Sequence, residues 1–241
     1  MVSVRIGTAG WTIPRAVADA FPAAGSGLER YAARFRAAEI NSTFYRQHRP
    51  ATFARWREAT PPAFRFALKL PRALTHEARL TGCEPGLDAF LEETDALGEK
   101  RGPLLAQLPP KLAFQPDAAR SFFSALRERY SGAVACEPRH PSWFEPDAER
   151  LLEGLRVGRV AADPLRHPLA GTPGGWPGLA YWRLHGSPRM YYSAYDEAAL
   201  QGFAAAMASS PAEETWCVFD KTTSGAAAAD ALRLSEIVSG D

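Results

Sequence analysis

The sequence predicts an α/β protein, a single (β/α)8 TIM barrel that spans residues 1–241. Short apolar runs alternate with longer helical stretches along the whole chain, which is typical of parallel strands joined by right-handed crossovers. The length of 241 residues fits a one-domain barrel, which has roughly 250 residues. The early segment GTAGW lacks the GxGxxG spacing of an open dinucleotide-binding sheet, so a closed barrel is favoured.

Each strand is predicted from a short apolar or alternating run, and each helix from apolar residues at helical spacing. The predicted strands are Val4–Gly7, Ala37–Asn41, Phe64–Lys69, Leu104–Leu108, Ala133–Glu137, Val157–Asp163, Tyr181–His185 and Trp216–Asp220. The predicted helices are Leu28–Arg36, Ala51–Ala59, Glu84–Leu97 and Pro116–Tyr130, with three more beginning near Pro146, Asp196 and Ser224. The Gly- and Pro-rich crossover HPLAGTPGGWPGLA predicts no helix.

Composition excludes several classes of protein. The formal net charge of +1 gives no global basic field, which disfavours a nucleic-acid partner. Cys83, Cys136 and Cys217 form no CxxC pair, which indicates reduced thiols and a cytoplasmic protein. The start resembles no signal peptide, and no apolar run approaches the roughly 20 residues that span a bilayer, so we expect no membrane partner. The oligomeric state stays open.

Strand parity gathers polar residues at one end of the predicted barrel. If the bulkier apolar side chains face the helices, the alternate positions face the interior. On the sixth strand this rule puts Val160 outward and Asp163 inward. The inward polar residues are Glu39, Asn41, Lys69, Gln107, Glu137, Arg139, Asp163, Arg183, His185 and Asp220. They lie at the carboxyl ends of their strands, where barrel active sites lie, although a layer of ion pairs closing the mouth is the structural alternative.

Several segments resemble one known family in content and order. They are IGTAGW, EINSTFYR, LKLPRALTHEARL, GPLLAQLPP, EPRHPSWF, YWRLHGSPRMYYSAY and FDKTTSGAAAADAL. Together they resemble the YecE-like proteins, domain of unknown function 72, over nearly the whole chain. The resemblance implies a TIM barrel, similar in general shape to sugar isomerases and endonuclease IV-type barrels, and it implies no activity.

Carboxylates and an imidazole among the inward residues are candidates for proton transfer. Glu39, Glu137 and His185 are the predicted catalytic residues. Carboxylates at several strand ends can also hold a divalent metal. However, Lys69, Arg139 and Arg183 share their parity, and there is no HxH or HExxH spacing. We therefore expect no metal ligands and no cofactor, and favour an anionic ligand held by these cations.

A phosphate site is predicted where the last helix begins. Thr222, Ser224 and Gly225 precede an Ala-rich helix, where a hydroxyl N-cap, free N–H groups and the helix dipole suit an anion. The loops after strands seven and eight are the usual phosphate position in this fold. Arg183 and Lys221 would strengthen such a site. The alternative is a plain capped helix start.

Loop residues around the predicted mouth complete the candidate ligand contacts. Asn41 and Tyr45 can give directed hydrogen bonds, and His140 is a candidate for acid–base work. His76 follows the third strand and is either a ligand contact or a loop histidine. The aromatic run from Met190 to Tyr195 either stacks on bases or sugars or forms a lid packed on the barrel rim.

These observations predict a protein that binds a small polar molecule, anionic or phosphorylated, at the carboxyl-terminal mouth of the barrel. An isomerase, a lyase and a hydrolase are all compatible with the residues, and so is a protein without catalysis. One alternative is a metal-dependent enzyme acting on a sugar or nucleic-acid phosphodiester. Another is a non-catalytic module that binds nucleic acid or protein, against which the near-neutral charge speaks.

Overall fold

The computed structural model describes residues 4–220 and 224–240. The strands are β1 (Val4–Ala9), β2 (Ala37–Ile40), β3 (Arg65–Lys69), β4 (Arg101–Gln107), β5 (Val134–Glu137), β6 (Val157–Arg159), β7 (Ala161–Asp163), β8 (Gly174–Gly175), β9 (Leu179–Leu184) and β10 (Glu214–Phe219). They form one sheet in the order β7-β9-β10-β1-β2-β3-β4-β5-β6-β8. Only β8 pairs antiparallel among these strands, with β6.

The sheet returns on itself between β6 and β7. A single residue, Val160, separates the two strands, and its N–H donates to Cys136 O at 2.8 Å. Because β6 pairs with β5 while β7 pairs with β9, the two ends of the sheet meet through this continuous segment. The result is a nearly closed, TIM-like α/β barrel, which confirms the predicted fold class.

Helices follow most of the strands and cover the outside of the barrel. They are α1 (Gly27–Ala32), α2 (Pro50–Glu58), α3 (Glu84–Thr94), α4 (Pro116–Arg129), α5 (Pro146–Gly154), α6 (Glu197–Ala208) and α7 (Ala226–Ser239). Proline occupies the first turn of α2, α3, α4 and α5, where a missing N–H costs nothing. The crossover at 167–178 contains only a short 3-10 turn and β8. None of these helices combines the length and apolar character needed to cross a bilayer.

Two buried layers share the core. The interior layer contains Ala37, Ala67, Leu105, Ala135, Val160, Leu179, Tyr181, Trp216 and Val218. The bulkier outward positions, such as Phe66 and Leu68, pack against the helices. The parity rule is therefore right for most strands and wrong for Val160, which faces inward. The sequence VGRVAAD has valines three positions apart, hence on opposite faces, so the size of the apolar side chains could not decide its parity.

Candidate functional site

Arg183 lies at the centre of a buried cluster of charges inside the carboxyl-terminal end of the barrel. It shares a face of β9 with Tyr181 and is fully buried. Its Nε and Nη2 donate to the two oxygens of Glu39 at 2.9 and 2.7 Å, which is a bidentate pair. Nη1 donates to Glu137 Oε2 at 2.8 Å, and Nη2 also contacts Asp220 Oδ2 at 3.2 Å. The guanidinium thus joins strands β2, β5 and β9 and the residue after β10.

His185 completes this cluster two residues after Arg183. Its Nδ1 lies 3.1 Å from Asp220 Oδ2 and its Nε2 lies 3.2 Å from Glu137 Oε1. Burial alone would lower the pKa of His185, but the hydrogen bonds to the two carboxylates outweigh burial and raise it. The protonated ring can then donate to both partners. We call Arg183, Glu39, Glu137, His185 and Asp220 the ion-pair cluster.

The oxygens of Glu39 and Glu137 are all engaged. Glu39 accepts from Tyr181 Oη at 3.1 Å in addition to Arg183. Glu137 Oε2 also accepts from Gln107 Nε2 at 2.9 Å, and Oε1 accepts from Arg139 Nη2 at 2.8 Å. Burial would raise the pKa of Glu137, yet the guanidinium groups of Arg183 and Arg139 hold it well below its usual range. The three predicted catalytic residues are therefore brought together, but as partners of one another.

Lys69, at the end of β3, differs from Arg183 and Arg139 because no carboxylate of the described residues pairs with it. The side chain is buried, and its Nζ lies 4.0 Å from the centre of the Phe44 ring, over its face. Within residues 4–220 and 224–240, Nζ has no hydrogen-bond acceptor and no ion-pair partner. Burial and the neighbouring Arg183 lower the pKa of Lys69 to about 8, and the carboxylates of the ion-pair cluster offset only part of that effect.

His76 and Arg139 are two further nitrogen-bearing side chains of the mouth near Lys69. His76 packs its ring edge-on against Phe44, with ring centres 4.9 Å apart, and its Nδ1 hydrogen bonds to Thr75 Oγ1 at 2.9 Å. Burial lowers the pKa of His76, and the charges of Lys69, Arg72 and Arg139 lower it further. The environment of the His76 ring is therefore dominated by positive charge. Lys69 and Arg139, together with the ring of His76, which its lowered pKa leaves uncharged at pH 7, form what we call the cationic layer.

The chain segment 186–195, here called the mouth loop, covers the ion-pair cluster. The ring of Tyr191 packs edge-on against His185 at 5.3 Å, and its Oη lies 3.4 Å from Arg139 Nη2. Tyr191 adopts a φ of 61° and Gly186 one of 87°, which is left-handed backbone. The space beside Glu137, Arg139 and His185 measures only about 10 Å³, so a ligand at this position requires the mouth loop to move.

Other predicted contacts lie apart from the ion-pair cluster. The side-chain oxygen of Asn41 is buried without a hydrogen-bond partner in the described residues. Tyr45 is 71% exposed and lines a cavity of about 400 Å³ between the loops after β2 and β3 and helix α3. His140 Nδ1 accepts from Ser142 N at 3.2 Å and so caps the turn Pro141–Phe144. The hydrogen bonds of His140 thus remain within its own loop.

The prediction that Asp163 faces the interior is wrong. Its Oδ1 accepts from Tyr195 Oη at 2.9 Å on the helix side of β7, because Val160 takes the inward position and three residues of extended chain reverse the face. The predicted hydroxyl N-cap of α7 is also wrong: Gly225, with a φ of 77°, is the N-cap, and Ser224 Oγ donates to Tyr192 O at 2.5 Å. Lys221 and Thr222 lie outside the described residues.

Two residues of this site, Tyr181 and Phe44, were not predicted from the sequence. Tyr181 has the same parity as Arg183 and could have been found by extending the parity rule one step back along β9. Phe44 supports Lys69 from the short 3-10 helix Asn41–Phe44 after β2, and an aromatic residue in a loop carries no comparable signal. Within the described residues, no group of three or more His, Cys, Asp or Glu side chains is arranged to hold a metal ion.

Comparison with known proteins identifies a family and several relatives of this chain. A family model described as protein of unknown function DUF72 matches residues 5–241. The UPF0759 protein YecE of Escherichia coli K12 is 33% identical over 168 residues, which cover 66% of this chain. The match spans only 59% of that relative's length.

Two solved structures share the fold. A DUF72 family protein of Thermotoga maritima superposes with a TM-score of 0.79 at 25% identity, covering 98% of this chain and 99% of that one. A DUF72 family protein of Enterococcus faecalis gives a TM-score of 0.81 at 20% identity, covering 98% and 96% of the two chains. These similarities agree with a TIM-like barrel and give no information about a ligand.

Proposed function

The chain belongs to the DUF72 family of proteins of unknown function, and we propose that it binds a small anionic molecule at the carboxyl-terminal mouth of its barrel. The observation that carries the proposal is the state of Lys69. Its ammonium group is buried and has no acceptor in the described chain. A buried charge of this kind is costly unless something pairs with it, and an anion is the partner that its chemistry selects.

The charges around Lys69 favour an anion over a cation. The carboxylates of the ion-pair cluster already accept from Arg183, Arg139, Gln107 and Tyr181, which leaves them poorly able to attract a second cation. Lys69, by contrast, retains its donors. His76 has one ring nitrogen against Thr75 and the other free of any hydrogen bond given by the described residues. The cationic layer is therefore the part of the mouth whose side chains still have hydrogen-bonding groups without a partner in the described residues.

We assign the ion-pair cluster a supporting role. Glu137 holds Arg139 through Oε1 and is itself held by Arg183 and His185, so it fixes the guanidinium that forms one side of the proposed anion site. Rigid supporting hydrogen bonds of this kind set the geometry of a binding site. Proton transfer by Glu39, Glu137 or His185 would require the network to open first.

Access depends on the mouth loop. Tyr191 touches both His185 and Arg139, and an anion paired with Arg139 would compete with the tyrosine hydroxyl for that side chain. Loops that close over a ligand commonly open on the microsecond to millisecond scale. We therefore propose that the mouth loop moves aside for binding and can return over the bound molecule.

Titration calorimetry with inorganic phosphate and with pyrophosphate tests the proposal. The wild type and the exposed-lysine control Lys111→Met should bind alike, while Lys69→Met should weaken binding by about tenfold or more, as expected for loss of a charged hydrogen bond. Lys69→Arg, which retains the charge, should keep part of the affinity. Equal binding by wild type and Lys69→Met, or no binding by any of the proteins, would overturn the proposal.

The pH dependence provides a second readout. Because the pKa of Lys69 is about 8, the ammonium form is mostly present at pH 7 and is lost as the pH rises through about 8. Affinity for the anion should fall over that range in the wild type, and bound anion should displace the transition upward by favouring the charged form. The same titration of Lys69→Arg should show no such fall, since its guanidinium stays protonated.

A further inference from the structure

We propose that the Lys69 amine forms an imine with the carbonyl carbon of a small aldehyde or ketone that also carries a carboxylate or phosphate group. The inference rests on the proposed anion site, because the anionic group would pair with Arg139 and leave the carbonyl beside Nζ. It adds to anion binding a covalent step and a substrate class.

The chain contains an internal comparison for a buried lysine. Lys100 is also buried, and its Nζ donates to Arg57 O and Thr60 O, each at 2.5 Å, and to Thr60 Oγ1 at 3.0 Å. All three of its N–H bonds have acceptors, as expected for a structural ammonium. Lys69 has no such acceptor in the described chain and lies over an aromatic face instead. Of these two buried lysines, Lys69 is therefore the one whose nitrogen is not engaged by acceptors in the described chain and can react.

The surroundings of Lys69 favour the uncharged amine that such a reaction needs. Burial and the Arg183 guanidinium disfavour the ammonium form, and together they outweigh the carboxylates that favour it. The Phe44 face at 4.0 Å contacts Nζ but offers it no lone pair as a hydrogen-bond acceptor. The charged groups that influence it from the other elements are Glu39 on β2, Glu137 on β5, Arg183 on β9 and Asp220 after β10. Desolvation beside another cation is the usual way in which proteins activate a lysine nucleophile. The pKa of about 8 is consistent with this environment.

The covalent step is an addition followed by loss of water. The lone pair of Nζ attacks the carbonyl carbon, the C–O π electrons move to oxygen, and that oxygen takes up a proton while nitrogen releases one. The hydroxyl of the resulting carbinolamine then leaves as water after a second protonation, as nitrogen forms the C=N bond and releases its remaining hydrogen. One carbonyl and one amine thus give one imine and one water, with no oxidant or reductant. His76, which packs on the same Phe44 ring, is placed to relay these protons.

Reductive trapping tests the inference on the full-length protein. The probes are glyoxylate, an aldehyde with a carboxylate, and acetaldehyde, which has no anionic group; sodium borohydride converts each imine to a stable secondary amine. Peptide mapping then shows which amine is modified. The chain has only four lysines, at positions 69, 100, 111 and 221, so the assignment is unambiguous. Variants Lys69→Arg and Lys111→Arg are the matched pair.

The expected result is carboxymethylation of Lys69 at least about tenfold faster than of Lys111 at pH 7, because an amine with a lowered pKa has a larger uncharged fraction. The modification should disappear from Lys69→Arg, persist in Lys111→Arg, and slow when phosphate competes. Labelling of Lys111 and Lys69 at equal rates, or labelling of Lys111 alone, would overturn the inference; mapping the wild type gives this answer even if a variant fails to fold.

Phosphate binding and the trapping of the two aldehydes together distinguish this inference from the proposed function. Phosphate binding without trapping at Lys69 refutes the imine and leaves the anion site intact. Rapid trapping of both glyoxylate and acetaldehyde, unaffected by phosphate, supports a reactive lysine and refutes the anion site. Preference for glyoxylate over acetaldehyde together with protection by phosphate supports both.

Discussion

Replacing Lys69 by methionine should make the protein more stable at neutral pH, contrary to the usual effect of a buried substitution. Methionine has a similar length and can occupy the space against Phe44 without a charge. The reason for the gain is that the folded protein holds an ammonium group in a buried site without acceptors, whereas the unfolded chain exposes it to water.

The magnitude follows from the change in pKa. The pKa of Lys69 is lowered from 10.5 to about 8, which at about 1.4 kcal/mol per pKa unit corresponds to roughly 3 kcal/mol of lost stability when the group is charged in both states. The substitution also removes the contact between the ammonium and the Phe44 ring, which is worth about 0.5–2 kcal/mol. The net gain expected at pH 7 is therefore about 1–3 kcal/mol.

The sign of the pH dependence follows from proton uptake. A lysine whose pKa is lowered on folding binds fewer protons in the folded state between about pH 8 and 10.5, so wild-type stability gains from this group as the pH rises through that range. The advantage of Lys69→Met should accordingly be full below about pH 8 and vanish by about pH 10.5. An anion at saturating concentration should reverse the order at neutral pH by stabilising only the wild type.

Urea unfolding between pH 6.5 and 10.5, without added phosphate, measures these differences. Lys111→Met should change stability by less than about 0.5 kcal/mol, as for an exposed residue. Lys100→Met should lose about 1–3 kcal/mol, because the oxygens of Arg57 and Thr60 lose their donor. A destabilised Lys69→Met protein at pH 7, or a difference that stays constant over the whole range, would refute the reasoning.

Three further predictions concern the rest of the barrel. Arg183→Met should destabilise the folded protein by about 3–5 kcal/mol in urea unfolding, because it leaves buried carboxylates unpaired. The control Arg233→Met, at an exposed ion pair, should cost at most about 1 kcal/mol. Equal losses in the two variants would contradict the structural role of the ion-pair cluster. The pKa of Glu137 is lowered on folding, so its carboxylate contributes stability above its ordinary pKa of 4.5, and this stability is lost as the pH falls through the lower folded-state pKa. In urea unfolding, the stability of Glu137→Gln should therefore fall less steeply than that of the wild type as the pH is lowered into the acid range, and parallel curves would speak against this role. Gly7→Ala should cost about 1–3 kcal/mol or more, because its Cβ would lie 2.0 Å from Ala37 O; an unchanged thermal midpoint would show that β1 and β2 can separate.

Sequence patterns predicted the fold well because a barrel repeats one simple rule. Each parallel strand is an apolar run with alternating faces, and its carboxyl end meets the others at one rim. That rule brought Glu39, Glu137, Arg183 and Asp220 into one cluster from segments far apart in the chain. It failed at Asp163, where the valines of VGRVAAD lie on both faces and the size of the side chains gave no decision.

The roles of these residues could not be predicted from parity alone. Alternation says which way a side chain points, but not which neighbour it reaches. The bidentate contact of Arg183 with Glu39, and the use of both ring nitrogens by His185, depend on the closure of the barrel across β9, β2 and β5. For the same reason parity placed Lys69 in one group with Arg139 and Arg183, although of these three only Lys69 lacks an acceptor in the described chain.

The contrast between Arg183 and Lys69 gives these two inward cations different physical roles. A guanidinium stays charged and presents donors in a fixed fork, so Arg183 can hold Glu39 and Glu137 permanently. An ammonium is a compact charge that readily loses its proton when buried. The chain has 28 lysines and arginines, of which only four are lysines, and one of the four, Lys69, lies close enough to the ion-pair cluster to interact with its charges. A group there that can be either charged or neutral can pair with an anion in one state and react with a carbonyl in the other, which arginine at the same position could not do.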